Sequence, residues 1–388
     1  MKKVALIVGL AAALGFNHAE AADWNWKGDI RYRYQSDLTE FPTVTGEHSR
    51  DRHRSRVRLG VTPWINEELS GGIQLSTGSA TETTSRNQTL SGLFLANPVY
   101  LNEYFIDYHP VAYGLDGQIN FLLGKRGVAS TLIVINDLVW DTDLTFEGVT
   151  IQYGKDADGK EKEGLSAVAG YYSLQEFNGV QSALATPPAG QEKNAILLVG
   201  QAAYSGELSN FNYKIGAGYY DYANFAYQIA LSNSPAPNYT GKDFNIVELF
   251  GTLDGQITEL LPWKLSVQYA VNTAKKDATN INIDDAKRSS YLLEAKIGDA
   301  KQVGQWSVNA DYIRIERDAL TILTDSDRNM GAATNLAGFK VAGNYHLAQN
   351  LTLGLTWFQF KTIDDKSTVT DESAPTRRII MADAVVKF

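Results

Sequence analysis

Trp24-Asn25-Trp26-Lys27-Gly28-Asp29-Ile30-Arg31-Tyr32-Arg33-Tyr34 alternates residue by residue. Trp24, Trp26, Gly28, Ile30, Tyr32 and Tyr34 share one parity; Asn25, Lys27, Asp29, Arg31 and Arg33 share the other. Successive side chains of a β-strand point to opposite faces, so this stretch is a strand with an aromatic face and a charged face. The next segment repeats the pattern: His53, Ser55, Val57, Leu59 and Val61 alternate with Arg52, Arg54, Arg56, Arg58 and Gly60.

Working outward, the same period of two returns in Phe211–Tyr219, Trp263–Asn272 and Trp306–Tyr312. Noisier copies lie near residues 68–79, 99–109, 118–126, 145–154, 165–175, 195–205, 244–253, 290–299, 337–347, 351–361 and 377–388. About sixteen segments of about ten residues each are the signature of an all-β, transmembrane antiparallel β-barrel. A helical period of 3.6 is nowhere sustained. The connections alternate in length. Thr62–Glu67, Gly206–Asn210, Ala300–Gly304 and His346–Asn350 are short. Ser36–Arg50, Ser79–Pro98, Phe177–Asn194, Ala223–Asp243, Ala274–Ser289, Arg317–Thr334 and Thr362–Thr376 are long and polar. Short turns on one side and long loops on the other fit such a barrel, with both termini on the short-turn side. Lys155–Gly164 is a longer connection on that side. A soluble β-sandwich also alternates, but at this length it usually splits into domains. Nor does a sandwich explain why Trp24, Trp26, Trp64, Tyr108, Tyr153, Tyr204, Trp263, Trp306 and Phe388 sit at segment ends, where an aromatic girdle at one membrane interface would lie.

Two lysines at the start, an apolar run from Val4 to Phe16 and Ala19-Glu20-Ala21 form the three-part pattern of a cleaved secretory signal peptide. The run is too short for a membrane helix, and nothing later is longer. The expected organisation is a leader over residues 1–21 and one barrel domain over 22–388. There are no cysteines, which excludes disulfides, thiol catalysis and thiolate metal sites. The net charge is −9, and −10 once Lys2, Lys3 and Glu20 are gone. An acidic chain without a basic tail is a poor nucleic-acid binder.

The arginine row is the sharpest feature. Arg52, Arg54, Arg56 and Arg58 share a face with Arg31 and Arg33 of the preceding strand and span roughly 20 Å. Facing lipid, each would cost about 2–4 kcal/mol near the midplane, so all must face the lumen. Asp29, Glu103, Asp107 and Arg126 are placed with them as pore-lining residues. Two readings stand: a basic wall that concentrates anions and sets the field of a constriction, or a lattice of arginine–acid pairs that fills the wall. The segment Ala129–Asp143 is apolar through Leu132, Ile133, Val134 and Ile135, then acidic. A loop in water would not carry that run. The expectation is a constriction loop folded inward, its apolar residues and Trp140 packed on the inner wall, with Asp137, Asp141 and Asp143 facing the arginines. An extra strand or a packed surface loop is the alternative.

Three stretches, Trp24 to Arg33, Arg52 to Gly60, and Asn136-Asp137-Leu138-Val139-Trp140-Asp141-Thr142-Asp143 with Glu147-Gly148, resemble the "putative porin" family of Gram-negative bacteria. Ile380, Ala382, Ala384, Val386 and Phe388 resemble the final strand by which outer-membrane proteins are recognised by the barrel-assembly machinery. The resemblance implies an outer-membrane location, contact with lipid and lipopolysaccharide, and passive diffusion of small hydrophilic solutes. A homotrimer is implied by analogy with other sixteen-stranded porins.

Weaker signals carry less. Asp156, Asp158 and Gly159 lack the spacing and terminal acid of a calcium loop and read as a polar turn. His48, His53, His109 and His346 have no metal-ligand spacing, and His53 falls on the lipid register. No cofactor, metal or catalytic residue is predicted, and no nucleophile elbow or phosphate loop appears. Beside the passive, anion-biased channel stand a substrate-specific channel for phosphate or organic acids, a barrel enzyme and a plugged structural barrel.

Overall fold

A computed structural model describes residues 23–40, 47–112, 117–154, 163–176, 193–225, 243–275, 287–321, 323–324, 326–328, 334–363 and 376–388. The leader, its cleavage site and Asp156, Asp158 and Gly159 lie outside these residues.

One sheet holds seventeen strands. They are β1 (Asp23–Glu40), β2 (Glu47–Asn66), β3 (Leu69–Ser76), β4 (Gln88–Thr89), β5 (Tyr100–Tyr108), β6 (Ile119–Gly127), β7 (Thr145–Tyr153), β8 (Gly164–Gln175), β9 (Ala195–Leu208), β10 (Phe211–Ala223), β11 (Asn245–Thr258), β12 (Leu261–Asn272), β13 (Ser289–Gly298), β14 (Trp306–Ile315), β15 (Leu336–Ala348), β16 (Leu351–Thr362) and β17 (Thr376–Lys387). All pairings are antiparallel, and β1 pairs with both β2 and β17, so the sheet closes. The two-residue β4 pairs with β2 beyond the end of β3. The other sixteen strands form a closed barrel wall, in which strand–strand hydrogen bonds leave no edge and satisfy the backbone without water.

The alternation in the sequence is the alternation of the wall. Ile30 and Tyr32 are 48% and 49% exposed on the outside, whereas Arg33 and Arg54 are 6% and 7% exposed on the inside. Leu249, Val267, Leu293 and Ile380 extend the outward apolar surface. Glycines on the inner face have a use beyond curvature. A Cβ on Gly218 would stand 2.6 Å from the Tyr220 hydroxyl, and one on Gly170 would strike the Tyr172 ring, so these glycines make room for inward aromatic rings.

Both ends of the described chain meet at the short-turn rim. Gly28 N–H donates to Phe388 O at 2.7 Å, and Phe388 N–H donates to Gly28 O at 3.0 Å. Trp24 lies opposite Pro63 and Trp306 opposite Tyr345 at the same rim, where Phe211 packs edge-on against Trp263 at 5.7 Å. Ser209 and Asn350 adopt positive φ in two of the tight turns there.

Two expectations need correction. The first long loop is shorter than Ser36–Arg50, because β1 and β2 continue as a ladder from Ser36↔Asp51 to Glu40↔Glu47. Ser36-Asp37-Leu38-Thr39 lacks an apolar face, so its alternation is invisible, yet Asp37 turns inward and holds Arg52 at 2.6 Å. The second concerns Arg317–Thr334, which reads in the sequence as a long polar connection. Its described residues Asp318, Ala319, Leu320, Thr321, Thr324 and Arg328 are buried inside the barrel.

Candidate functional site

The register of β1 on β2 sets the charges of the inner wall. Arg33 lies opposite Arg54 and Arg31 opposite Arg56, with Asp29 opposite Arg58 below and Asp37 opposite Arg50 above. Like charges directly opposite each other repel, so the two central pairs need acids from elsewhere. Three elements supply them. On β17, Asp383 accepts from Arg33 Nε at 2.7 Å and Nη2 at 2.8 Å. From the β14–β15 connection, Asp327 meets Arg33 Nη1 at 3.2 Å. From the β6–β7 connection, Asp143 meets Arg56 at 3.3 Å and Arg58 at 3.7 Å. Asp29 accepts from Arg56 Nε at 3.0 Å and Arg58 Nε at 2.6 Å. Arg31 and Arg54 differ, since their hydrogen bonds go to neutral oxygens. Arg31 Nη2 donates to Asn87 Oδ1 at 2.5 Å, and Arg54 donates to Gln35 Oε1 at 3.1 Å and Ser85 Oγ at 3.3 Å.

The segment Ala129–Asp143 does lie within the barrel. It opens with one helical turn, Val128–Thr131, and then runs along the inner faces of β7 to β10. Leu132, Ile133, Leu138, Val139 and Trp140 are all at most 2% exposed. Gln201 of β9 clamps the loop backbone: its Oε1 accepts from Ile133 N–H at 2.8 Å, and its Nε2 donates to Ile133 O at 2.9 Å. Trp140 packs edge-on against Phe146 at 5.1 Å and Tyr220 at 5.0 Å. Burying several large side chains at about 1.5–3 kcal/mol each holds this loop far more firmly than its polar contacts do.

A second inward segment braces the first. Asp141 N–H donates to Leu323 O at 2.8 Å, and Arg328 bonds Asp137 at 2.6 Å and Asp311 of β14 at 3.2 and 3.3 Å. Lys340 of β15 joins the same two carboxylates at 3.1 and 3.0 Å. A third inward segment, from the β3–β5 connection, carries Ser85, Arg86 and Asn87 beside β2. Arg86 N–H donates to Asp143 Oδ2 at 3.3 Å, and its Nε donates to Asn102 Oδ1 at 2.5 Å.

Sequence reasoning placed the six arginines and Asp29 together, and the structure brings them together. Asp143 meets two of them, Arg56 and Arg58. Asp141 lies close by, its Oδ1 accepting from Asp143 N–H at 2.7 Å. Asp137 turns to Arg328 and Lys340 instead. Asp107 pairs at 2.8 Å with Arg126, whose guanidinium lies 4.3 Å from the Phe105 ring centre, so these two form a separate buried pair. Glu103 is half-buried beside a bulge between β3 and β5 and joins no ion pair among the described residues. His53 faces outward and bonds the Tyr32 hydroxyl at 2.7 Å. Asp327, Asp383, Arg328, Ser85 and Asn87 were missed. Ala319-Leu320-Thr321-Ile322-Leu323 is an apolar run inside a polar connection, the same signal that marked residues 132–135, and it could have revealed the second segment.

A family model described as putative porin matches residues 15–237 and 230–374. Pseudomonas putida OprB, solved at high pH, superposes with a TM-score of 0.55 at 12% identity, over 94% of each chain. A mutant of the Rh. blastica porin superposes with a TM-score of 0.50 at 10% identity, over 94% of this chain and 100% of that one. At such identities the likeness is one of fold. No curated protein sequence matches the chain.

Proposed function

Because the chain belongs to the putative porin family, we propose that its barrel is a passive outer-membrane channel for small hydrophilic solutes, narrowed by inward loops against the arginine wall and biased toward anions. Family and fold alike favour a porin-type channel over an enzyme. In this reading residues 1–21 are removed on export and 22–388 form the barrel. Lipid and lipopolysaccharide surround its outward face, the barrel-assembly machinery engages the strand carrying Phe388, and three copies associate.

One observation carries the functional part: β1 and β2 line the lumen with six guanidiniums, and carboxylates of two inward loops reach three of them, Arg33, Arg56 and Arg58, at 3.2–3.7 Å. Loops so anchored narrow the path, and a wall of one charge sign focuses the potential within it. Reconstitution in a planar bilayer under a KCl gradient tests the reading. Stable conductance steps with anion preference, enlarged by deletion of Ala129–Asp143, are expected. Cation preference would retain the channel and reduce the arginines to a structural lattice. Unchanged conductance after the deletion would remove the constriction, and no steps from a folded barrel would favour a plugged lumen.

A further inference from the structure

The acids of the site are already engaged. Asp383 and Asp327 hold Arg33, while Asp29 and Asp143 hold Arg56 and Arg58. With Arg52 held by Asp37 at 2.6 Å, two guanidiniums of the arginine row remain, Arg31 and Arg54, each with no carboxylate within 4 Å among the described residues. They are diagonal neighbours in the β1–β2 ladder, roughly 7–8 Å apart. Arg54 is 7% exposed, and a cation buried so deeply without an anion is costly.

Hydrogen-bond donors are also in excess. Ser85 Oγ receives Arg54 Nη2 at 3.3 Å, Asn87 N at 3.2 Å and Asn87 Nδ2 at 3.1 Å. A hydroxyl has two lone pairs and one proton, so three donors more than fill its acceptor capacity and leave its own O–H free to donate elsewhere. Arg31 Nε and Arg54 Nε have no acceptor among the described residues. Beside Arg31 opens a recess of about 60 Å³ with wholly polar walls, lined by Arg31, Arg56, Ser85 and Asn87 and by the carboxylates Asp141, Asp143 and Asp327. A water needs roughly 10–15 Å³ on this measure, so the recess holds a few waters or one small polyatomic anion.

We propose that the recess between Arg31, Ser85 and Asn87 is a binding station for a small oxyanion, the carboxylate, phosphate or sulfate group of a permeating solute. The oxyanion accepts from Arg31 and from the Ser85 hydroxyl, which Arg54 polarises from behind. Asp141, Asp143 and Asp327, which also line the recess, repel it and keep it from staying. A channel requires this balance, since a site must bind well enough to admit and weakly enough to release.

This inference rests on an open lumen, as the channel reading does, and its test separates the two. Chloride current through single channels is recorded while potassium phosphate, sulfate or acetate is added at constant ionic strength. Binding of inorganic phosphate to the folded barrel in detergent is measured by calorimetry. Concentration-dependent block is expected, weakened about tenfold in Arg31→Gln and Arg54→Gln, each a lost charge-assisted bond. Asp327→Asn should strengthen it severalfold. The order among the three anions identifies which oxyanion fits. Block that is absent, or equal in wild type, Arg54→Gln and Asp327→Asn, would overturn the station while leaving the channel. If no current flows, the channel reading fails, and calorimetry decides the station alone: phosphate heat lost in Arg31→Gln keeps it, and no heat removes it. Should Arg54→Gln not fold, the opposite signs of Arg31→Gln and Asp327→Asn still decide.

Discussion

Arg33 and Asp383 face each other across β1 and β17, joined by two parallel hydrogen bonds of 2.7 and 2.8 Å between residues 350 positions apart. This bidentate pair lies at the seam where the last strand meets the first. The same Arg33 lies opposite Arg54 on its other side. Asp383→Asn leaves Arg33 beside another arginine, with Asp327 its one remaining carboxylate among the described residues. Loss of about 1–3 kcal/mol of barrel stability is expected. Urea unfolding in detergent micelles, followed by tryptophan fluorescence, measures it. A midpoint equal to wild type would show that the seam needs no such clamp.

Arg54 and Arg56 are two residues apart on one face, yet their partners predict different phenotypes. Arg56 is bonded to Asp143, at the end of the first inward loop; Arg54 is bonded to Gln35 and Ser85. Neutralising either removes one positive charge from the lumen. Arg54→Gln should therefore shift the reversal potential away from anions at nearly unchanged conductance. Arg56→Gln should shift it similarly and also alter conductance, because Asp143 is released. Equal conductance changes in both variants would show that the Asp143 contact does not position the loop.

The fold was legible because a membrane barrel wall must alternate, and in β1 and β2 even the charged face is written out at every second position. Where neither face is consistently apolar, as from Ser36 to Glu40, alternation leaves no trace, and the ladder reads as a loop. The first inward loop was legible through its apolar run, whereas the partners of its acids were not. Asp137 and Asp143 are six positions apart in one acidic segment, but one meets Arg328 and the other Arg56. That choice depends on where the β14–β15 connection folds, which no local pattern in residues 129–143 encodes. Asp383 was hidden because it bonds to Arg33 only once the barrel closes.

Arg328, 1% exposed, is the pin between the two inward segments. Arg328→Met takes the guanidinium from Asp137 and Asp311, while the Lys340 ammonium still bonds both. Breaking a buried pair from one side costs about 3–5 kcal/mol, here reduced because Lys340 remains. The expected readout is flickering open-channel current, since the first segment keeps its apolar anchors but loses its brace. A double-mutant cycle of Arg328→Met with Asp137→Asn should give a coupling of about 0.5–3 kcal/mol. Zero coupling, or a current as quiet as wild type, would assign the hold to the apolar packing alone.

Acid should reach Asp327 late. Burial alone would raise its carboxyl, but Arg33, Arg54 and Arg31 together outweigh burial and hold it below the ordinary carboxylate range. A carboxyl depressed in the folded state contributes stability above its unfolded value of about 3.9, and that contribution is lost as pH falls through the lower folded value. From pH 8 to 5 the Asp327 charge therefore persists, and so does its opposition to anions. Other carboxylates face the same lumen, so the informative quantity is the difference in anion preference between wild type and Asp327→Asn. That difference should be constant from pH 8 to 5 and close only below about pH 4, where wild type gains the preference the variant already has. A difference that closes between pH 7 and 5 would mean that the three arginines do not hold the Asp327 carboxylate, and that the second inward segment does not rest on the arginine wall.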